Sequence, residues 1–216
     1  MSLVHDVVAE LRSMATPAEH AKVLKRVGDP DLVIGVRMRD VFDLASRHVT
    51  ADLDDVEALL EQPWYEARLV GVSILDAKAR SRRATQDERR AWAASYLEHH
   101  DRLDLWDFVD RAAPRVLGGW LLGETDRSVL QELAASPDPM RRRSAITACF
   151  WLVRAQELDD ALHIADLLAS DPERLVLNNV AVALREVGRR DPARRDAFLA
   201  DHPQLPAAVR RVASSA

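Results

Sequence analysis

Apolar residues recur at three- and four-residue spacing along almost the whole chain, and no run alternates in the manner of a strand. A pattern of that period lines one side of a helix and nothing else. It restricts the chain to an all-α fold. The spacing predicts helices near 3–14, 17–27, 36–48, 53–62, 64–81, 86–99, 104–112, 114–123, 126–135, 139–154, 157–169, 173–190, 192–200 and 205–214. The punctuation agrees. Thr16-Pro17, Asp138-Pro139 and Asp171-Pro172 each set a capping side chain before a proline of the first turn. Gly28-Asp29-Pro30 carries a helix stop. Connections are short and no Gly/Ser-rich linker interrupts them, so residues 1–216 read as a single domain.

A weak internal repeat refines the architecture. Asp138-Pro139-Met140-Arg141-Arg142-Arg143-Ser144-Ala145-Ile146 and Asp171-Pro172-Glu173-Arg174-Leu175-Val176-Leu177 both open a long helix, 33 residues apart. That offset suits helix-pair repeats. Gln62-Pro63-Trp64-Tyr65-Glu66-Ala67-Arg68-Leu69-Val70 reads as an earlier, more divergent copy. Stacked pairs build a curved α-α superhelix with a concave binding surface. A compact bundle without repeats is the alternative.

Charge bounds the partners less tightly. A net charge of −5 argues against a nucleic-acid binder when taken alone. Its distribution is uneven, with Asp52, Asp54, Asp55, Glu57 and Glu61 in one segment and Arg141, Arg142, Arg143 and Arg154 in another. Lys22, Lys25 and Lys78 are the only lysines. Arginine binds phosphate in a bidentate manner, although a GC-rich genome produces the same bias. The one cysteine, Cys149, lies in the apolar run Ala148-Cys149-Phe150-Trp151-Leu152 and reads as a buried thiol of a reducing compartment. Residues 1–6 lack the basic and apolar regions of a signal peptide. No apolar stretch approaches the ~20 residues that span a bilayer. A soluble cytoplasmic protein is expected, with no membrane contact.

The familiar catalytic signatures are missing. No His/Cys/Asp cluster has ligand spacing, so no metal is expected. Gly118-Gly119 is an isolated pair rather than a phosphate loop, and no serine lies in a nucleophile elbow. The informative run is Leu105-Trp106-Asp107-Phe108-Val109-Asp110. On a helix, Trp106 and Asp110 share one face. An indole beside a carboxylate suits a cationic sugar or base. Read alone, the pair also fits a core tryptophan followed by a surface Asp110–Arg111 ion pair.

The run and its downstream context resemble the AlkD-type alkylpurine DNA glycosylases, DNA alkylation-repair proteins built from HEAT-like repeats. The resemblance continues through Pro114-Arg115-Val116-Leu117-Gly118, the segment from Asp138 to Ile146, and Ala183-Leu184-Arg185-Glu186-Val187-Gly188-Arg189-Arg190-Asp191-Pro192. Leu32-Val33-Ile34-Gly35-Val36-Arg37-Met38-Arg39 matches the segment before the family's third helix. The similarity covers the chain from about residue 20 onward, and the order of these elements is more specific than any one of them.

The resemblance implies a DNA glycosylase that removes cationic N3- or N7-alkylated purines from double-stranded DNA. Asp110 and Trp106 take the catalytic positions beside the deoxyribose. Arg143 aligns with an arginine at the DNA backbone, with its neighbours Arg141 and Arg142 as competitors. Arg111, Arg185 and Arg189 are further phosphate candidates. No cofactor is implied, and a monomer is expected.

The chain departs from the family at Val182, where the family places a second catalytic tryptophan, and at Val23, where an early aromatic stands. Trp151 and Trp120 are candidates to supply the missing wall. The alternative function is a catalytically weak or inactive repeat module that binds structured DNA or a protein partner.

Overall fold

The computed structural model describes residues 2–215, and all regular structure among them is helical. The helices are α1 (Leu3–Met14), α2 (Pro17–Val27), α3 (Met38–Arg47), α4 (Leu53–Leu60), α5 (Tyr65–Ala79), α6 (Gln86–Glu98) and α7 (Trp106–Ala112). They continue as α8 (Leu117–Leu121), α9 (Ser128–Ala134), α10 (Pro139–Arg154), α11 (Asp159–Leu167), α12 (Arg174–Gly188), α13 (Pro192–Asp201) and α14 (Ala207–Ala213). Each coincides with a predicted helix, and the interior ones are mostly shorter by a residue or two at the ends. Short 3₁₀ turns at Pro30–Leu32 and His100–Arg102 fill two of the connections.

Local chemistry sets many of the ends. Thr16 accepts from the Glu19 amide at 3.2 Å with Pro17 in the first turn, and Gly28 closes α2 in the left-handed region at φ 85°. Thr85 and Glu88 form a reciprocal capping box on α6. Asp138 accepts from the Met140 amide at 2.9 Å to start α10 at Pro139. At the matching Asp171-Pro172 the outcome differs: α12 starts at Arg174. Asp171 Oδ1 still accepts from an amide two residues on, that of Glu173 at 2.8 Å. Its carboxylate is also clasped by Arg142, at 2.6 and 3.1 Å. The aspartate that caps one helix thus has a counterpart, 33 residues later, that ties the two repeats together.

By their contacts the helices form two compact units, Met1–Ala112 and Ala113–Ala216. In the first, α5 is the hub, packed on α1, α3, α4, α6 and α7. Residues 65–76 of α5 are buried without a break, as expected of a helix surrounded by others. In the second, α10 packs against α8, α9, α11 and α12, while α12 also packs against α13 and α14. The α8–α10 approach is close enough that a Cβ on Gly118 would collide with the Ala148 carbonyl oxygen. Only glycine permits that spacing.

Candidate nucleic-acid site

On α7 the side chains divide cleanly. Asp107, Phe108, Val109 and Ala112 are buried, whereas Trp106 is 37% exposed and Asp110, one turn later, is half-buried. The expected face therefore exists in the first unit. What holds it was not foreseen. Asp107 Oδ2 accepts from the Tyr65 hydroxyl at 2.5 Å and from Arg26 Nη1 at 2.7 Å, and Arg26 donates to the Tyr65 oxygen at 3.0 Å. The Arg26 guanidinium then lies 5.6 Å from the Trp106 ring centroid. Residues from α2, α5 and α7 thus converge beneath the exposed indole.

Physical chemistry accounts for the cluster's charge state. Burial, reinforced by the Asp107 charge, pushes the Tyr65 hydroxyl well above its ordinary range, so it stays a donor. Burial works against the Arg26 cation, but Tyr65 and Asp107 outweigh it and raise its pKa. Asp107 Oδ1 is enclosed and has no hydrogen-bond partner, so the Oδ2 contacts carry the compensation for this buried carboxylate.

Val23, Arg26, Val36, Met38 and Tyr65 line a cavity of about 120 Å³ beside the cluster, so Val23 is positioned where a larger side chain would fill space. One of its lining residues, Val36, is pinned by Glu66. That fully buried carboxylate accepts from the amides of Ile34, Gly35 and Val36 at 2.9, 2.7 and 3.2 Å. Gly35 needs its freedom here: its φ is 97°, and a Cβ would meet His20 at 2.6 Å.

The arginines expected at DNA have specific internal contacts. Arg111, in the first unit, reaches Asp76 at 3.4 Å and Ser73 at 3.2 Å, and its guanidinium stacks 4.1 Å from the Phe42 centroid. It does not act merely as a surface partner of Asp110. In the second unit Arg143 is 4% exposed and donates to the Leu175 carbonyl. Beside it, Thr147 donates to the Arg143 carbonyl at 2.6 Å and accepts from Asn179 Nδ2 at 2.7 Å, stitching α10 to α12. Arg142 is occupied by Asp171 and by the carbonyls of Ser136 and Pro137. Arg185 and Arg189 lie around Glu186, at 3.6 and 2.7 Å, and Arg189 is the most open of the five, with about half of its side chain accessible.

The family model described as DNA alkylation repair enzyme matches residues 7–216. The chain belongs to that family. A solved structure described as a predicted DNA alkylation repair enzyme from Enterococcus faecalis superposes with a TM-score of 0.73. It is 15% identical in sequence and the match covers 94% of this chain and 96% of that one. This likeness establishes the shared fold: an all-α helical-repeat architecture. No curated protein matches the chain. No helix among the described residues is long and apolar enough to cross a membrane.

Sequence reasoning missed Arg26, Tyr65 and Asp107. Their separations of 39, 42 and 81 residues leave no local pattern to read. Helical period gives no hint either, because Asp107 falls away from the side of α7 that Phe108, Val109 and Ala112 define.

Proposed function

We propose that this member of the DNA alkylation repair family is a glycosylase that hydrolyses the N-glycosidic bond of cationic N3- or N7-alkylated purines in double-stranded DNA. The observation that carries the reading is the open Trp106–Asp110 face on α7, braced from below by Arg26, Tyr65 and Asp107. The bond from C1′ to the purine breaks with its electron pair going to the base, which leaves neutral. The sugar gains oxocarbenium character, and the Asp110 carboxylate opposes that charge. Water then adds to C1′, and its proton passes to Asp110 or to solvent. Trp106 offers its ring face to the cationic nucleotide.

The reaction calls for no cofactor or metal. Arg189 and Arg185 are the leading phosphate contacts, ahead of Arg111, Arg142 and Arg143, because they are the least enclosed. The two units act as one HEAT-like domain over residues 1–216, monomeric and cytoplasmic.

Release of 7-methylguanine and 3-methyladenine from methylated duplex DNA tests this directly. Wild type releases both, and Asp110→Asn lowers the rate by about 10²-fold or more, the scale of losing one transition-state electrostatic contact. No release by wild type sinks the reading. Val182 and Val23 favour a second one, a weakly active or inactive module that binds structured DNA or a protein partner. It predicts no release together with retained affinity for branched DNA or for a protein.

A further inference from the structure

Within the second unit, Phe150, Trp151 and Arg154 of α10 face Val182, Glu186 and Arg190 along a depression of about 390 Å³. Trp151 is half-buried, and two guanidiniums lie against its ring, Arg115 at 4.9 Å and Arg154 at 5.0 Å from the centroid. Arg154 is exposed and rests on the indole rather than on a carboxylate. The one acid in the depression, Glu186, is already surrounded by Arg185, Arg189 and Arg190 at 3.6, 2.7 and 3.3 Å. The residues lining the depression therefore carry a net positive charge, despite the chain's net charge of −5.

A flat aromatic ring, open space beside it and guanidiniums in excess of carboxylates form a site for a ligand with a π-face and negative charge. We propose that Trp151 is a stacking platform for an unpaired nucleobase of a DNA strand, with Arg154 and Arg190 taking the adjoining phosphates. An exposed cation–π contact is worth less than base–aromatic stacking. An incoming base therefore displaces Arg154 from the ring, and the freed guanidinium turns to the backbone. With no bulky side chain at position 182, the space opposite the indole stays open. This inference rests on the chain's binding DNA, but not on the chemistry assigned to Asp110.

The test is affinity, by fluorescence anisotropy, for two labelled duplexes, one fully paired and one carrying a single unpaired adenine, each over a salt series. Wild type prefers the unpaired adenine. Trp151→Ala loses about fivefold or more on that duplex, the low end of base–aromatic stacking, and little on the paired one. Trp151→Phe recovers most of the loss. Stacking releases no counterions, so Trp151→Ala keeps the slope of log affinity against log salt, whereas Arg154→Ala makes it shallower by about one. Equal affinity of Trp151→Ala and wild type for both duplexes overturns the proposal. So does an equal loss on both that Trp151→Phe fails to recover, which marks a packing role.

Base release measured in parallel separates the two readings. If wild type releases no alkylpurine yet shows the Trp151 effect, the platform stands and the glycosylase reading falls. If Asp110→Asn abolishes release while Trp151→Ala binds normally, the reverse holds. Absence of DNA binding by wild type overturns both.

Discussion

The Tyr65 hydroxyl donates to Asp107 Oδ2 across 2.5 Å, joining the first turn of α5 to the first turn of α7 beneath the exposed Trp106 ring. Asp107 has no other hydroxyl partner, and its second oxygen is enclosed without one. The pair therefore ties the start of α7 to the start of α5, beside a Trp106 that is 37% exposed and an Asp110 that is half-buried.

Removing this contact is expected to cost stability as well as activity. Tyr65→Phe leaves Asp107 with Arg26 alone and lowers the unfolding free energy by about 1–3 kcal/mol. Asp107→Ala removes the buried charge but leaves the Tyr65 O–H without its acceptor, while the partly open Arg26 regains water, so roughly 2 kcal/mol is expected. Denaturant midpoints check both. A change below about 0.5 kcal/mol, the range of an ordinary surface substitution, would show that the cluster does not brace α7.

Alkaline pH probes the same hydroxyl. Tyr65 has its pKa raised on folding from an ordinary value of 10.0, so above pH 10 the unfolded chain gives up a proton that the native protein retains. Its contribution is fully present below pH 10 and is lost as pH climbs past it. Cys149, whose thiol burial also pushes upward from 9.0, adds a loss of the same sign that begins about one pH unit lower. Wild type should destabilise steadily above pH 9, and Tyr65→Phe should follow a flatter curve above pH 10. Urea titrations at a series of alkaline pH values read this out. Parallel curves would remove Tyr65 from the account.

Glu66 is expected to be a purely structural acid. Glu66→Ala strips the acceptor from three amides, two of them in buried residues, and should cost roughly 2–4 kcal/mol. Hydrogen exchange should accelerate first at Ile34, Gly35 and Val36, ahead of global unfolding. Uniform acceleration across the unit would mean that Glu66 holds more than this loop.

Arg143 and Arg189 should separate by assay. Arg143→Ala loses the Leu175 contact between α10 and α12 and is expected to destabilise by about 1–3 kcal/mol, with an unchanged salt slope of DNA affinity. Arg189→Ala should leave stability within about 0.5 kcal/mol and make that slope shallower by about one. The opposite pattern would place Arg143 at the phosphate backbone.

Much of the fold was legible because its causes are local. Thr16, Thr85 and Asp138 cap with amides two or three residues away, and Gly28 closes its own helix, so α2, α6 and α10 could be bounded from neighbouring letters. The departures have longer-range causes. Asp171 belongs to the same Asp-Pro signature, but its carboxylate is shared with Arg142, 29 residues away, and α12 starts beyond it. The α8 helix, predicted over 114–123, runs from Leu117 to Leu121 and approaches the α10 backbone so closely that Gly118 leaves no room for a Cβ.

The candidate site divides in the same way. Helical period alone put Trp106 and Asp110 on one face, since four residues make about one turn. It could not show that Asp107, the acid between them, is the buried one, that Arg143 faces a carbonyl inside its unit, or that Trp151 shares a depression with Val182. Hydrophobic spacing and capping residues determined the helices, because those interactions close within a turn. Tertiary packing decided which charges are enclosed and which stay open, because burial and pairing depend on side chains that the chain brings together from tens of residues apart.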